Sequence, residues 1–259
     1  MLVPRQFAHT DLFISPLGLG TVKFGRNTCV KYPQAFNLPS DKQIKHLLAQ
    51  AHDLGINLLD TAAAYGISEQ RLGKLLSNRQ DWVIIAKAGE SFENNISTFD
   101  FTREALLASV EQSLQQLKTD YIDIFLIHSA GNDLELHSKY DVFGTINMLK
   151  RQGKIRYGGI STKTIAGGML AIEHSDCAMI SYNLDYQDEL TVIAKAVSLN
   201  RGILVKKALA SGHLATQENA LERSLELNFS TPGIGSVIIG TINSQHLRQN
   251  VELAHKILT

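Results

Sequence analysis

Eight short runs of apolar, β-prone residues alternate with eight longer stretches of helical period, and no change in composition interrupts the series. The runs fall at 17–21, 57–60, 82–87, 122–128, 156–161, 178–182, 203–206 and 237–240. The helical stretches fall at 41–54, 68–78, 102–117, 139–152, 164–174, 188–199, 216–228 and 243–257. Several stretches begin where a side-chain oxygen can accept a free backbone N–H: Ser40-Asp41, Thr102-Arg103-Glu104 and Asn243-Ser244. Eight β-α units in a row predict a single (β/α)8 barrel of the TIM type over residues 1–259, with its site at the C-terminal ends of the strands. The sixteen residues ahead of the first run carry Phe7, Leu12 and Ile14 around a turn near Thr10-Asp11, which predicts a short hairpin closing the barrel floor.

Composition narrows what such a chain meets. With 259 residues and 44% hydrophobic content, a sizeable core is within reach. Lys+Arg and Asp+Glu both number 25 and the formal charge is +0, so nothing argues for nucleic acid or an anionic membrane as a partner. The two cysteines, Cys29 and Cys177, are far apart and fit no CxxC pattern, which favours free thiols in a reducing compartment. The stretch Met1-Leu2-Val3-Pro4-Arg5-Gln6 has no apolar signal core, and no run reaches the ~18 apolar residues of a membrane span. A cytoplasmic protein acting on a small molecule is expected. No His/Cys grouping has zinc spacing, so no metal is implied.

Three of the runs deliver one polar residue each at or beside the C-terminal end. Asn57-Leu58-Leu59-Asp60 is soon followed by Tyr65, Trp82 through Ala86 leads to Lys87, and Ile122 through Ile127 leads to His128. If neighbouring strands run parallel, the four groups share one mouth. A phenol has a reference pKa of about 10, and a nearby cation lowers it by stabilising the phenolate. Lys87 supplies such a cation, Asp60 holds it in place and charged, and His128 offers a second donor to an oxygen on which negative charge develops. That set suits proton transfer to a carbonyl oxygen while hydride arrives at the carbon.

Gly18-Leu19-Gly20 is not a GxGxxG fingerprint, since position 23 is Lys, so a Rossmann domain is not expected. In a barrel the alternative anion site lies by strands seven and eight, where loop amides and a helix N-terminus face phosphates. Lys206, Lys207, Ser211 and Gly212, with Gly240, Thr241 and Asn243, are placed to serve it.

The stretch Gly55-Ile56-Asn57-Leu58-Leu59-Asp60-Thr61-Ala62-Ala63-Ala64-Tyr65-Gly66 through Leu72-Gly73 resembles the signature of the aldo-keto reductases. Further echoes are Leu17-Gly18-Leu19-Gly20-Thr21, Tyr121-Ile122-Asp123 through His128, Gly153 through Ser161, and Ile239-Gly240-Thr241 through Asn250. The resemblance implies a (β/α)8 barrel, NADPH as the usual cofactor, reduction of an aldehyde or ketone to an alcohol, and a monomer or weak homo-oligomer. It assigns Tyr65 as general acid supported by Asp60, Lys87 and His128, and Ser161 and Thr162 to the nicotinamide carboxamide. Gly20, Thr21, Asp60, Leu209, His246 and Asn250 complete the expected cofactor side. Val22, Phe24 and Phe92, with Tyr65, His128, Lys23 and the segment 129–137, are candidate substrate walls.

Four residues depart from the family pattern. Ala63 replaces a Pro in the loop from Asp60 to Tyr65. Met179 replaces a Gln on the carboxamide, removing a hydrogen bond of about 1 kcal/mol. Lys206 replaces an aromatic that stacks on the nicotinamide; its methylene stem can cover the ring if its ammonium reaches toward phosphate, and the sequence leaves that open. His246 stands where an Arg clamps the 2′-phosphate, so NADH becomes an admissible cofactor. Two other readings remain: a cofactor-binding but catalytically slow interaction or redox-sensing subunit on the same barrel, and a barrel isomerase or lyase that needs no nicotinamide.

Overall fold

In the computed structural model, which describes residues 1–216 and 219–259, the chain opens with an antiparallel hairpin of β1 (Arg5–Gln6) and β2 (Phe13–Ile14). The strands that follow are β3 (Leu17–Gly20), β4 (Leu58–Asp60), β5 (Val83–Ala88), β6 (Glu90–Glu93), β7 (Ile96–Phe99), β8 (Ile122–His128), β9 (Ile155–Ser161), β10 (Cys177–Ser181), β11 (Gly202–Lys206) and β12 (Ile234–Ile239). Eight of them, in the order β10-β11-β12-β3-β4-β5-β8-β9, close into a barrel in which every neighbouring pair is parallel. The helices are α1 (Val22–Gly25), α2 (Asp41–Asp53), α3 (Ser68–Leu75), α4 (Arg103–Leu117), α5 (Glu135–Ser138), α6 (Val142–Arg151), α7 (Ile165–His174), α8 (Leu190–Ser198), α9 (Ala220–Ser230) and α10 (Ser244–Leu258). The predicted (β/α)8 architecture is the one observed. Of the helix expected over 216–228, residues 217 and 218 lie outside the described residues. No helix among the described residues is long and apolar enough to cross a membrane.

Side chains alternate across each strand, which sorts the apolar residues into two sets. Leu58, Val83, Ile85, Ile124, Leu126, Met179 and Leu204 point into the barrel, while Leu59, Ile84, Phe125, Ile127, Ile180 and Val205 meet the surrounding helices. The hairpin plugs the floor as its pattern predicts. Phe7 is buried beneath the barrel, and a Cβ built on Gly202 or Gly235 would stand 2.2 and 2.6 Å from its ring, so only glycine leaves room for the plug. Thr10 fixes the turn by donating to the Phe7 carbonyl at 2.6 Å. The predicted helix starts carry their caps: Ser40 forms a reciprocal capping box with Gln43, Thr102 accepts from the Ala105 N–H, and Asn243 accepts from the N–H groups of Gln245 and His246.

Two features of the rim were not read from the sequence. A long loop, 26–40, follows the single turn of α1, and the hairpin β6–β7 rises directly from the end of β5. Asn94 and Asn95 both take positive φ at its tip, 50° and 64°, as a two-residue hairpin turn that matches the strand twist demands. That Asn-Asn pair was the available signal.

Candidate active site

Parallel register brings the strand ends to one level. Asp60 closes β4, Lys87 is the penultimate residue of β5 and pairs in register with Leu126, and His128 closes β8 opposite Ser161 of β9. Tyr65 stands on the loop that leaves β4. The Lys87 ammonium is the hub: it donates to the Asp60 carboxylate at 2.5 Å, the Thr61 carbonyl at 3.0 Å and the Tyr65 hydroxyl at 3.2 Å. Three donors meet three acceptors, so one orientation of the side chain is selected. The ring of His128 stands edge-on to that of Tyr65, with centroids 6.2 Å apart.

The electrostatics correct one expectation. Burial raises the Tyr65 phenol above its ordinary pKa, and the Lys87 charge offsets only part of that rise. Tyr65 therefore holds its proton at neutral pH, and the role left to Lys87 is to ease its release. Burial opposes the charge on Lys87, but the Asp60 carboxylate more than compensates and keeps the ammonium protonated. For His128, burial dominates and lowers the pKa; Glu90 pulls it up and Lys87 pushes it down. The ring is uncharged at neutral pH, so only one of its nitrogens carries a hydrogen, and the donor expected toward a substrate oxygen depends on which one.

Other expected residues fall into separate groups. Thr21 is wholly buried, and its hydroxyl donates to the Asp60 carbonyl at 2.9 Å, so any outward contact from Gly20-Thr21 is made by backbone. Phe24 corrects a predicted substrate wall: it is 0% exposed and packs in the core between the barrel and its helices, leaving Val22 as the half-buried neighbour. Phe92, on β6, is half-buried and faces the Arg26 guanidinium, 3.4 Å above its ring. For Lys206 the structure decides the direction that the sequence left open. Its ammonium turns inward, donating to Ser161 Oγ at 2.8 Å and the Thr162 carbonyl at 2.7 Å, and does not extend outward toward a phosphate. Burial, with the charges of Lys207 and Lys87, pushes its pKa down to about 7.

Lys207 does face outward, in a cavity of about 450 Å³ shared with Ser211, Lys31, Lys163 and Glu189. Burial and the charges of Lys31 and Lys163 lower its pKa. Lys207, Ala210, Ser211 and Gly212 adopt positive φ, which turns this loop sharply. Leu209 is half-buried within it. Gly240 faces Tyr32 of the loop 26–40, whose hydroxyl would stand 2.7 Å from a Cβ there. Burial, then the charges of Tyr65 and Asp60, push Tyr32 up to about 12. Thr241 is buried at the entry to α10, while Asn243 and His246 are exposed on its first turn and Asn250 is half-buried one turn on. Met179 lies inside the barrel, 1% exposed.

Sequence reasoning missed Lys31, Tyr32, Glu90, Lys163 and Glu189. Glu90 sits in the hairpin, its carboxylate 2.9 Å from Nδ1 of His128. Glu189 is 1% exposed, with one carboxylate oxygen unpartnered among the described residues, and burial pushes it up to about 7. None belongs to a periodic pattern; Glu90 comes on the first residue of the hairpin strand β6, and the others come from loops.

The chain matches the model of the Aldo/keto reductase family over residues 16–226. A solved structure from Pseudomonas aeruginosa, assigned to the aldo-keto reductases, superimposes with a TM-score of 0.91 at 46% identity, covering 99% of this chain and 95% of that one. An oxidoreductase from Bacillus subtilis, YqkF, is 26% identical over 97% of this chain and 90% of its own length. The NADH-specific methylglyoxal reductase of Escherichia coli is 33% identical over 57% of this chain and 48% of its own length.

Proposed function

The chain belongs to the aldo/keto reductase family and is an oxidoreductase, and on that basis we propose that it reduces aldehyde or ketone carbonyls to alcohols with a nicotinamide cofactor, Tyr65 acting as general acid. The observation that carries the reading is the buried Lys87 ammonium held simultaneously by Asp60 and Tyr65.

The residues present fit such a cofactor. Lys31, Lys163 and Lys207 crowd one cavity, and like charges at close quarters favour an anionic ligand such as a pyrophosphate. Thr162 Oγ1 is buried without a partner among the described residues, beside Ser161, where a carboxamide would satisfy it. When bound, the cofactor supplies hydride to the carbonyl carbon. Tyr65 releases its proton to the carbonyl oxygen as negative charge gathers there, and Lys87 stabilises the phenolate that remains. Asp60 keeps Lys87 charged through the cycle. Solvent protons then restore Tyr65. His246, exposed on the first turn of α10, would meet the adenosine ribose as a weaker clamp than a guanidinium, so discrimination between NADPH and NADH is modest. The relative named as NADH-specific supports admitting NADH.

Tyr65→Phe tests the assignment. The ring keeps its packing and loses the proton, so turnover with small aldehydes should fall ~10²–10⁴-fold while NADPH affinity, read by fluorescence, stays put. Comparable turnover in the variant would remove Tyr65 from the role.

A further inference from the structure

The hairpin β6–β7 brings a carboxylate to the mouth, beside His128. Glu90 is the first residue of β6, and its two oxygens are divided between two tasks. Oε2 stands 2.9 Å from Nδ1 of His128, while Oε1 accepts from the Ser97 hydroxyl at 2.7 Å and lies 3.5 Å from the Arg26 guanidinium. Arg26 is itself tied to the Ala64 carbonyl at 3.1 Å. The carboxylate is thus held from the opposite hairpin strand and from the loop after α1, with side-chain exposure of only 13%.

An ionised carboxylate accepts and cannot donate. At 2.9 Å from a buried ring nitrogen it tolerates an N–H and repels a lone pair, although the oxygen lies off the axis of an ideal hydrogen bond and acts mainly through its charge. A neutral imidazole carries a single N–H. If Nδ1 holds it, Nε2 is bare, and Nε2 of His128 has no hydrogen-bond partner among the described residues.

We infer that Glu90 is a positioning residue that fixes His128 in its Nδ1–H tautomer, so that Nε2 accepts a proton in the neutral ring and donates one only when the ring is charged. The charged and titratable groups facing the ring are Glu90 from β6, Lys87 from β5, Lys206 from β11 and Tyr65 from the loop after β4. Lys87 is a cation and Lys206, itself brought down to about 7, is one only in part; with burial, which is the largest cause, they keep the ring neutral near pH 7 despite Glu90. The imidazolium can donate to the oxygen on which charge gathers while Tyr65 transfers the proton, whereas bare Nε2 offers that oxygen no hydrogen, so the charged ring is the form that assists reduction. This kinetic consequence rests on the proposed carbonyl–alcohol chemistry; the tautomer does not.

Long-range proton–nitrogen NMR of the protein without ligand reads the tautomer directly, with His128→Gln identifying the signals by their loss. Above the titration of the ring, the expected spectrum has a protonated Nδ1 and a bare Nε2. Glu90→Gln offers the ring an amide N–H donor and should invert the pattern, placing the hydrogen on Nε2. A wild-type spectrum with Nε2–H overturns the inference, as does a folded Glu90→Gln protein that keeps Nδ1–H. Should that variant fail to fold, the wild-type spectrum alone decides. In turnover, wild-type kcat/KM for reduction should drop about tenfold per pH unit above the ring's titration, while Glu90→Gln, with a donor at Nε2 in the neutral ring, should lose less than about twofold. Equal slopes would overturn the kinetic half. A protein that reduces no carbonyl would sink the proposed function, whereas the tautomer seen by NMR would stand or fall on its own spectrum.

Discussion

Lys87→Met separates what the buried ion pair does for the fold from what it does for chemistry. The thioether side chain roughly preserves the apolar stem but removes an ammonium that is 1% exposed and makes three hydrogen bonds. The Asp60 carboxylate, 7% exposed, then loses its cation, and the Thr61 carbonyl loses its donor. Breaking one partner out of a buried pair costs about 3–5 kcal/mol, because the surviving charge is left uncompensated. Against a total stability of roughly 5–15 kcal/mol, that loss runs from about a fifth to the whole. Adding Asp60→Asn removes the orphaned charge, so the double variant should recover at least half of what the single one loses. Urea denaturation reads both effects as shifts of the midpoint at constant slope. Turnover should fall ~10²–10⁴-fold in the single and double variants alike, since neither can stabilise a Tyr65 phenolate. A folded Lys87→Met protein less than about 1 kcal/mol below wild type, or a double variant no more stable than the single one, would refute the reasoning that Asp60 depends on Lys87.

The remaining predictions concern the cofactor, the core and acid stability. His246→Arg should tighten NADPH binding by about 1.5–3 kcal/mol while leaving NADH nearly unchanged, because only the former carries a 2′-phosphate for the guanidinium to clamp; titrations with equal gains would place that phosphate elsewhere. Phe24→Ala should cost about 3–5 kcal/mol in thermal or urea unfolding, as a core cavity does, with KM little altered in the folded protein; a selective rise in KM would return Phe24 to the substrate wall. Burial pushes Glu90 up, but His128, Ser97 and Arg26 together bring it down to about 2 from 4.5. A depressed carboxyl contributes stability that is complete above its unfolded pKa and is lost as pH falls toward the folded value. Wild type should therefore lose about 3 kcal/mol more than Glu90→Gln between pH 5 and pH 2, and parallel losses would show that Glu90 holds no such partner.

The barrel and its floor were legible in the sequence because they rest on local regularities. Strands such as Val83–Ala88 and Ile122–His128 declare themselves as short apolar runs, and the caps at Ser40, Thr102 and Asn243 need only residues within one turn. The placement of Asp60, Lys87 and His128 followed from the same source, since parallel strands of a barrel necessarily end on one face. Directions of side chains beyond the strand ends were not legible. Phe24 turned into the core and Lys206 turned toward Ser161 because packing and unmet acceptors around them, contributed by distant segments, decide where each side chain comes to rest. The Asn94-Asn95 turn was readable, yet nothing in it told that Glu90 would meet His128 on a different barrel strand. Protonation lies furthest from sequence: Tyr65 has a cation at hand as expected, but whether its pKa rises or falls depends on how much water the folded mouth excludes. A residue's identity and its period along the chain are local properties, whereas burial and charge sum over everything that the closed barrel brings near.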